Sequence, residues 1–474
     1  MKMNETKIPK SVTHILNKLN EHGYEGYIVG GAVRDYVMGN EPHDWDIATN
    51  AKPEQVKAIF SKTIDTGIKH GTVTAMMAGT GYEITTYRCD GKYSDGRHPD
   101  DVSFVDSIEE DLARRDFTIN AMAMDAEGNI VDPFGGLDDI KKGVIRCVGN
   151  PDDRFSEDAL RMMRAVRFES KFGFELDDET KKSIEHNADK IQNVSAERIR
   201  DEFTKMLVSD NPKKGFIDAY KTGLTARVMP EFNAIMECEQ NSPWHYANAG
   251  IHTLDAVETI DADPNLRWAM LMHDMGKPVV KTQNSKGFDS FVGHAPESKQ
   301  IAKDIMTRLK FSNKDAYEIS DLVGEHDTIH KRPSSTRLFA AKYGDDFLTK
   351  LGKMKEADSK AHAPEYVDEL LTLHGEFISR AKGFIADGTA IKPSELRING
   401  NELQEYGIKG KAIGEFLKDA YRDCLGQPEL NNNELLRRRA ERLADKEAKK
   451  QQFRENAAAD VVRDITTNDR QLGS

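Results

Sequence analysis

The spacing of apolar residues changes once along the chain, near residue 150. Before that point, short runs with alternating apolar positions predict strands, and a helix is predicted over residues 11–22. From Pro151 onward, apolar residues recur at helical spacing, as in Leu160, Met163 and Val166. The predicted strands are Tyr27 to Val29, Val73 to Met77 and Tyr82 to Tyr87, with a turn at Ala78 to Gly81, and the first helices after Pro151 are near 178–191, 195–208 and 212–222. The pattern therefore predicts an α+β segment followed by an all-helical remainder.

Breaks in this pattern divide the chain into four predicted domains. These are residues 1–150 (α+β), 151–240, 241–365 and 366–474, the last three helical. The last twenty residues are polar, and we expect them to be frayed or disordered.

Composition narrows the class of protein. The chain has 474 residues, of which 38% are hydrophobic and 31% charged, with a mean hydropathy of −0.64. No apolar run approaches the roughly 20 residues of a membrane span, and the N-terminus does not resemble a signal peptide. Four dispersed cysteines without CxxC spacing are typical of reduced thiols, which predicts a cytoplasmic protein with no membrane partner.

Net charge bears on nucleic-acid binding. The value of −13 argues against non-specific coating of nucleic acid, and we expect no DNA partner. One local exception is residues 434–454, with eight Lys or Arg and four Asp or Glu, which indicates either an RNA-binding stripe or a solvated helix face.

The most informative chemistry is an acidic pair, Asp44 and Asp46, that follows the glycine pair Gly30 and Gly31. Carboxylates two residues apart on a strand point to one face, and hard oxygen ligands side by side suit Mg²⁺. A glycine turn can offer backbone N–H groups to a phosphate, and Arg34 can add charge compensation. The order of these residues predicts a Mg²⁺ site for nucleotidyl transfer.

Four ordered motifs within residues 24–240 resemble the class II tRNA nucleotidyltransferase/poly(A) polymerase family. They are the segments 30–35, 44–49, 114–121 and 132–136. The resemblance implies a head of the polymerase-beta nucleotidyltransferase type, with a mixed sheet and helices, followed by a helical neck, body and tail.

The resemblance also implies roles for individual residues. Asp44 and Asp46 match Mg²⁺ ligands, and a third carboxylate is either Glu83 or Asp116. The positions that match nucleotide or triphosphate contacts are Gly30, Gly31, Arg34, Arg115 and Asn120.

The segment Glu157 to Arg167 predicts a helix that begins at Ser156. On one helix Asp158 and Arg161 would lie about 60° apart, and a carboxylate acceptor beside a guanidinium donor can read a base edge with one amino group and one ring acceptor. Cytosine and adenine have that edge, so we expect CTP and ATP to be accepted. The segment resembles the family's base-selecting EDxxR motif, with Arg164 and Arg167 as further nucleotide contacts, and the loop at residues 90–99 resembles the one associated with the switch from C to A addition.

Histidines in the helical part form a second candidate site. His252, the adjacent pair His273 and Asp274, and His294 resemble the HD metal-dependent phosphohydrolase superfamily over residues 248–345. The resemblance implies a second divalent metal, with the last aspartate open among Asp321, Asp327 and Asp358. An inactive HD scaffold remains an alternative.

Together the resemblances imply template-independent addition of C, C and A to a tRNA 3′ end, from CTP and ATP with Mg²⁺. Poly(A) polymerase is the close alternative. The alternative from another class is an HD phosphohydrolase whose head only binds RNA.

Overall fold

A computed structural model of the chain describes residues 7–91 and 102–471. Two compact units are formed, Met1–Gly324 with Lys360–Ala363, and Glu325–Ser359 with Pro364–Ser474. Most of the loop predicted at residues 90–99, from Lys92 onward, lies outside the described residues.

The first unit begins with a seven-stranded mixed sheet in the order β3-β4-β5-β2-β1-β8-β9. β2 pairs antiparallel with β1 and parallel with β5, so it lies at the centre of the sheet. The strands of this segment are β1 Gly26–Val29, β2 Ile47–Thr49, β3 Thr63–Gly67, β4 Thr72–Met77, β5 Thr80–Thr86, β6 Arg88–Asp90, β7 Val102–Phe104, β8 Ala123–Met124 and β9 Ile130–Val131.

Local sequence explains the hairpin between β4 and β5. Ala78 and Gly79 form its two-residue turn with φ of 50° and 89°. Left-handed backbone at both positions gives the twist that antiparallel strands need. The predicted hairpin is confirmed.

Apolar residues on the sheet pack against the helices of the head. Ile28, Ile47 and Ile84 are fully buried on the three central strands, together with Leu16 and Leu19 of the first helix. The helices around the sheet are α1 Lys10–Glu21, α2 Gly31–Val37, α3 Pro53–Ile59, α4 Ile108–Ala113 and α5 Gly136–Lys142.

The rest of the first unit is helical, apart from two small strand pairs, as the period of 3.6 predicts. The pairs are β10 Val144–Ile145 with β11 Glu175–Leu176, and β12 Thr282–Gln283 with β13 Asp289–Ser290. The helices are α6 Pro151–Glu157, α7 Leu160–Phe172, α8 Asp178–Asn187, α9 Ala196–Leu207, α10 Pro212–Lys221, α11 Leu224–Val228, α12 Pro230–Met236, α13 Ala249–Thr259, α14 Pro264–Met272, α15 Lys277–Val280, α16 His294–Arg308 and α17 Asn313–Glu325, whose last residue is assigned to the second unit. The α+β head followed by helices confirms the predicted fold class.

The second unit is also helical, with a kink at Gly344, where φ is 77°. Its helices are α18 Pro333–Lys360, α19 Pro364–Ala386, α20 Gly400–Glu405, α21 Lys411–Gly426 and α22 Asn433–Gln471. Among the helices described, none combines the length and apolarity that crossing a bilayer requires.

The last helix reaches far into the polar segment at the end of the chain. Helix α22 continues to Gln471, through the polar segment expected to be frayed. Its alanines and charged residues have high intrinsic helix propensity, which polarity alone does not reveal.

Candidate functional site

The acidic pair lies just before β2, rather than on the strand as predicted. Asp46 still follows the sheet, because its carbonyl accepts a hydrogen bond from the backbone N–H of Val29 (3.0 Å). Both Asp44 and Asp46 are exposed. The pair therefore lies at the N-terminal end of the central strand, where both side chains are exposed to solvent.

Glu83 is the carboxylate that the sheet register places beside Asp46. β2 and β5 are parallel, with Ile47 aligned to Ile84, so Asp46 and Glu83 precede aligned residues. Surrounding protein partly desolvates the accessible Asp46 side chain, which raises the pKa of its carboxyl, and Glu83 and then Asp44 raise it further, opposed by Arg115. Neighbouring negative charges make the ionised form costly.

Both glycines of the pair leave room for arginines. Gly30 has φ of 70°, and a Cβ there would lie 2.9 Å from Nη1 of Arg115. A Cβ on Gly31, the first residue of α2, would lie 3.3 Å from Nη2 of Arg34. The turn therefore brings two guanidinium groups against backbone near the acidic residues.

Asp116 lies in a buried network of its own. Its carboxylate accepts hydrogen bonds from Arg164 (2.6 Å to Nη2) and from Nδ2 of Asn120 (3.1 Å). Nη1 of Arg34 donates to Oδ1 of Asn120 (2.5 Å), so the network reaches the glycine turn. Burial alone would raise the pKa of the Asp116 carboxyl, but Arg164 and Asn120 lower it to about 2.

The helix predicted to begin at Ser156 is wrong. Asn150 caps α6 by accepting a hydrogen bond from the N–H of Asp152, and Ser156 lies inside that helix. Asp158 ends α6 with extended backbone, and its carboxylate accepts a hydrogen bond from the N–H of Leu160 (3.0 Å) at the start of α7. A short acidic side chain competes with the helix for its own backbone, which explains the break.

Asp158 and Arg161 consequently do not share one helix, and each has another partner. Asp158 forms an ion pair with Arg198 of α9 (2.6 Å), and Arg161 forms one with Glu157. Both side chains are mostly buried.

The two arginines that continue this segment are also paired inside the protein. Arg164 binds Asp116, and Arg167 binds Glu202 of α9 at 2.5 Å. The ring of Phe168 lies under both guanidinium groups. These contacts tie α7 to the head and to α9.

In the helical part of the first unit, the predicted histidines lie around the carboxylate of Asp274. Its carboxylate lies 3.3 Å from Nε2 of His273, 3.4 Å from Nε2 of His294 and 3.9 Å from Nε2 of His252. Burial alone would raise the pKa of the Asp274 carboxyl, but His273, Lys277 and His294 hold it well below its usual value. All four predicted residues thus come together. Of the candidates for a further aspartate, Asp321 is instead paired with Lys299 (2.6 Å).

Sequence reasoning missed three residues beside this cluster. Lys277 Nζ lies 2.6 Å from Asp274 Oδ2, a pairing that the i, i+3 spacing could have indicated. His245 and His362 pack against His252, with ring centroids 4.9 and 4.8 Å from its ring. Burial lowers the pKa of His245 to about 2, with further contributions from Lys277, His252 and His362, so its imidazole is neutral. No spacing in the sequence relates His362 to the other two histidines.

Comparison with known proteins gives three family matches and close relatives. The Poly A polymerase head domain matches residues 26–146, the probable RNA and SrmB-binding site of polymerase A matches 173–236, and the HD domain matches 251–362. A CCA-adding enzyme of Ligilactobacillus salivarius is 36% identical over 448 residues, covering 92% of this chain and 97% of that protein. One from Lactobacillus johnsonii is 54% identical over 214 residues, which are 45% of this chain and 54% of that protein.

Solved structures agree with the relatives. The Bacillus stearothermophilus CCA-adding enzyme in complex with CTP has 31% identity and a TM-score of 0.67, covering 94% of this chain and 98% of that one. The Thermotoga maritima CCA-adding enzyme complexed with tRNA has 21% identity and a TM-score of 0.53 over 92% and 96%, which supports the fold alone. Because the match to the L. salivarius protein extends over nearly the whole of both chains, this chain belongs to the CCA-adding enzymes, a family of nucleotidyltransferases.

Proposed function

We propose that this chain adds C, C and A to the 3′ end of tRNA from CTP and ATP, releasing pyrophosphate. The observation that carries the proposal is the grouping of Asp44, Asp46 and Glu83 beside a glycine turn that holds Arg34 and Arg115. The relatives are CCA-adding enzymes and the B. stearothermophilus enzyme forms a complex with CTP, which supports the same substrates.

The three carboxylates fit Mg²⁺. Their donors are all oxygen, the set that this hard cation prefers. Partial desolvation raises the pKa of the Asp46 carboxyl, Glu83 and Asp44 raise it further, and a bound cation would relieve this repulsion. We assign Asp44 and Asp46 as ligands with Glu83 as the third carboxylate. Bound Mg²⁺ would supply charge neutralisation to the attacking 3′-hydroxyl and to the leaving pyrophosphate.

We assign Asp116 a positioning role instead. Its carboxylate is already occupied by Arg164 and Asn120, and Asn120 in turn holds Arg34. Arg34 lies over the ring of Phe172 (4.8 Å) as well, which limits its rotation. The network therefore orients a guanidinium for the triphosphate, to which Gly30 and Gly31 contribute from the turn and Arg115 contributes from the segment after α4.

Base choice is proposed to rest on Asp158 and Arg161. A carboxylate that accepts from an exocyclic amino group, and a guanidinium that donates to a ring nitrogen, match both cytosine and adenine. Uracil and guanine would place a carbonyl oxygen against the carboxylate. The ion pair of Asp158 with Arg198 has to open or rearrange for this contact, while Arg164 and Arg167 hold α7 in place.

The remaining parts of the chain have supporting roles in this proposal. The tail, residues 366–474, would bind tRNA through the basic stretch within α22. Four cysteines without disulfides favour a cytoplasmic location.

A second candidate activity, phosphoester hydrolysis, is favoured by the assembly of His252, His273 and His294 around Asp274. Mixed imidazole and carboxylate donors suit a divalent metal. Asp274→Asn should remove any hydrolysis of 2′,3′-cyclic or terminal phosphates and leave nucleotide addition unchanged.

The decisive assay offers labelled CTP and ATP, each alone and together, to tRNA that lacks its 3′ end. The proposal expects CTP incorporation followed by one ATP, with UTP and GTP rejected. Long A tracts on any RNA would indicate poly(A) polymerase. Hydrolysis without transfer would indicate a phosphohydrolase whose head only binds RNA.

A further inference from the structure

Three histidines that belong to different parts of the first unit meet at one point. The ligand nitrogens of His245, His252 and His362 lie within 4.8 Å of one another. Their ring centroids are separated by 4.6 to 4.9 Å. Of the three, His252 also lies 3.9 Å from the Asp274 carboxylate described above.

Backbone hydrogen bonds hold the histidines in place. Asn248 caps α13 by accepting from the N–H of Ile251 (2.8 Å), which fixes His252 in the first turn of that helix. The N–H of Ala363 donates to the carbonyl of Trp244 (2.9 Å), so His362 and His245 lie side by side. Nδ1 of His252 donates to the carbonyl of Ala361 (3.0 Å), which leaves Nε2 as its ligand atom. Histidine ligands are commonly oriented by such a bond from the second ring nitrogen.

His245 has a buried polar atom that protein does not satisfy. Its Nδ1 is inaccessible to solvent and meets no hydrogen-bond partner among the residues that the structure describes. Buried polar atoms in native proteins are nearly always paired, so a bound ligand is expected to satisfy this nitrogen.

We propose that His245, His252 and His362 form a binding site for a transition-metal divalent cation of the Zn²⁺ class. Neutral imidazoles suit Zn²⁺, Co²⁺ and Cu²⁺, whereas Mg²⁺ prefers oxygen. In a tetrahedral Zn²⁺ site, Zn–N distances of about 2.0–2.1 Å place nitrogens roughly 3.3–3.4 Å apart, so modest side-chain rotations close the set. Three histidines leave the fourth position open to water or to a phosphate oxygen.

This site differs from the predicted set around Asp274. Both sets would use Nε2 of His252, and one nitrogen binds one metal, so they exclude each other at that residue. His245 and His362 are specific to the new site, and His294 is specific to the Asp274 set. The head chemistry plays no part in either.

The test measures Co²⁺ and Zn²⁺ binding to the full chain after chelation, with the visible spectrum of Co²⁺ as the probe. His245→Gln and His362→Gln should each weaken binding at least about tenfold, since loss of even an indirect partner of a metal costs that much. His186→Gln, at an exposed histidine outside both sets, should leave binding unchanged. Unchanged affinity in folded His245→Gln and His362→Gln overturns the proposal.

A second variant gives a readout that is gained rather than lost when the metal binds. His362→Cys keeps a ligand at that position and should add a thiolate-to-cobalt charge-transfer band, whereas His186→Cys should not. A folded His362→Cys protein without that band shows that His362 does not touch the metal and overturns the site.

Discussion

The acidic site of the head and the histidine site of the helical part differ in how their negative charge is balanced. Asp44, Asp46 and Glu83 are exposed, and the pKa of the Asp46 carboxyl is raised by partial desolvation and then by the charges of Glu83 and Asp44. Asp274 is buried, and Lys277 and histidines keep its pKa low. At the head site Arg115 offsets only part of the effect of the neighbouring acids, so a metal can supply further positive charge, whereas a metal at Asp274 has to compete with Lys277. This difference favours the head over Asp274 as the site of the proposed metal-dependent transfer.

Removal of Asp46 should have the largest effect on catalysis. Asp46→Asn should lower the rate of CTP addition by on the order of 10³-fold or more, because several kcal/mol of charge stabilisation are lost. Single-turnover addition to tRNA lacking its 3′ end measures this. Asp65→Asn, an exposed carboxylate elsewhere on the sheet, is the matched control and should be near wild type. Equal rates for the two variants would place the metal elsewhere.

Glu83 and Asp116 should respond in opposite ways. Glu83→Gln should slow transfer by roughly 100-fold and change the free energy of unfolding by less than about 0.5 kcal/mol, because the side chain is exposed. Asp116→Asn should lower the free energy of unfolding by about 1–3 kcal/mol, because it takes the charged partner from the half-buried Arg164.

Urea unfolding and single-turnover rates on the same samples separate these outcomes. If Asp116→Asn is as stable as wild type but inactive, Asp116 is the third carboxylate and Glu83 is not.

Base choice should depend on Asp158. Asp158→Ala should reduce the preference for CTP over UTP by about 10- to 100-fold, because this is the contribution of one hydrogen bond to a charged group. Ratios of kcat/KM for the two nucleotides measure it, with Asp153→Ala, an exposed acid on α6, as the control. An unchanged ratio would remove Asp158 from the base-reading role.

Lowering the pH should reduce the contribution of Asp116 to the free energy of unfolding. Its pKa of about 2 in the folded protein lies below the ordinary 3.8, so the unfolded chain binds more protons and stability falls as pH drops from about 4 to about 2. The stability difference between wild type and Asp116→Asn should shrink by about 2 kcal/mol over that window. Chemical unfolding at several pH values measures it, and a constant difference would show that Asp116 titrates normally.

Local pattern and family resemblance predicted the fold class, the β4–β5 hairpin, helices α8 to α10 and the association of the four HD residues. The sequence pattern could not predict hydrogen-bond and ion-pair partners that lie far apart along the chain. Asp116 finds Arg164 and Asn120, and Asp158 finds Arg198, only after α7 packs against the head and α9. The break at Asp158 was missed because an apolar period of 3.6 continues on both sides of it, and one carboxylate that bonds the next turn is enough to interrupt the helix.

A change of metal preference tests most directly whether Asp46 holds the metal that drives transfer. Asp46→Cys replaces a hard oxygen with a soft thiolate, which binds Mg²⁺ poorly and Cd²⁺ well. If Asp46 holds this metal, CTP addition by Asp46→Cys is lost in Mg²⁺ and returns when Cd²⁺ is added, while Asp65→Cys works in Mg²⁺ throughout. Full activity of Asp46→Cys in Mg²⁺, or no recovery in Cd²⁺ by a folded protein, would contradict this assignment.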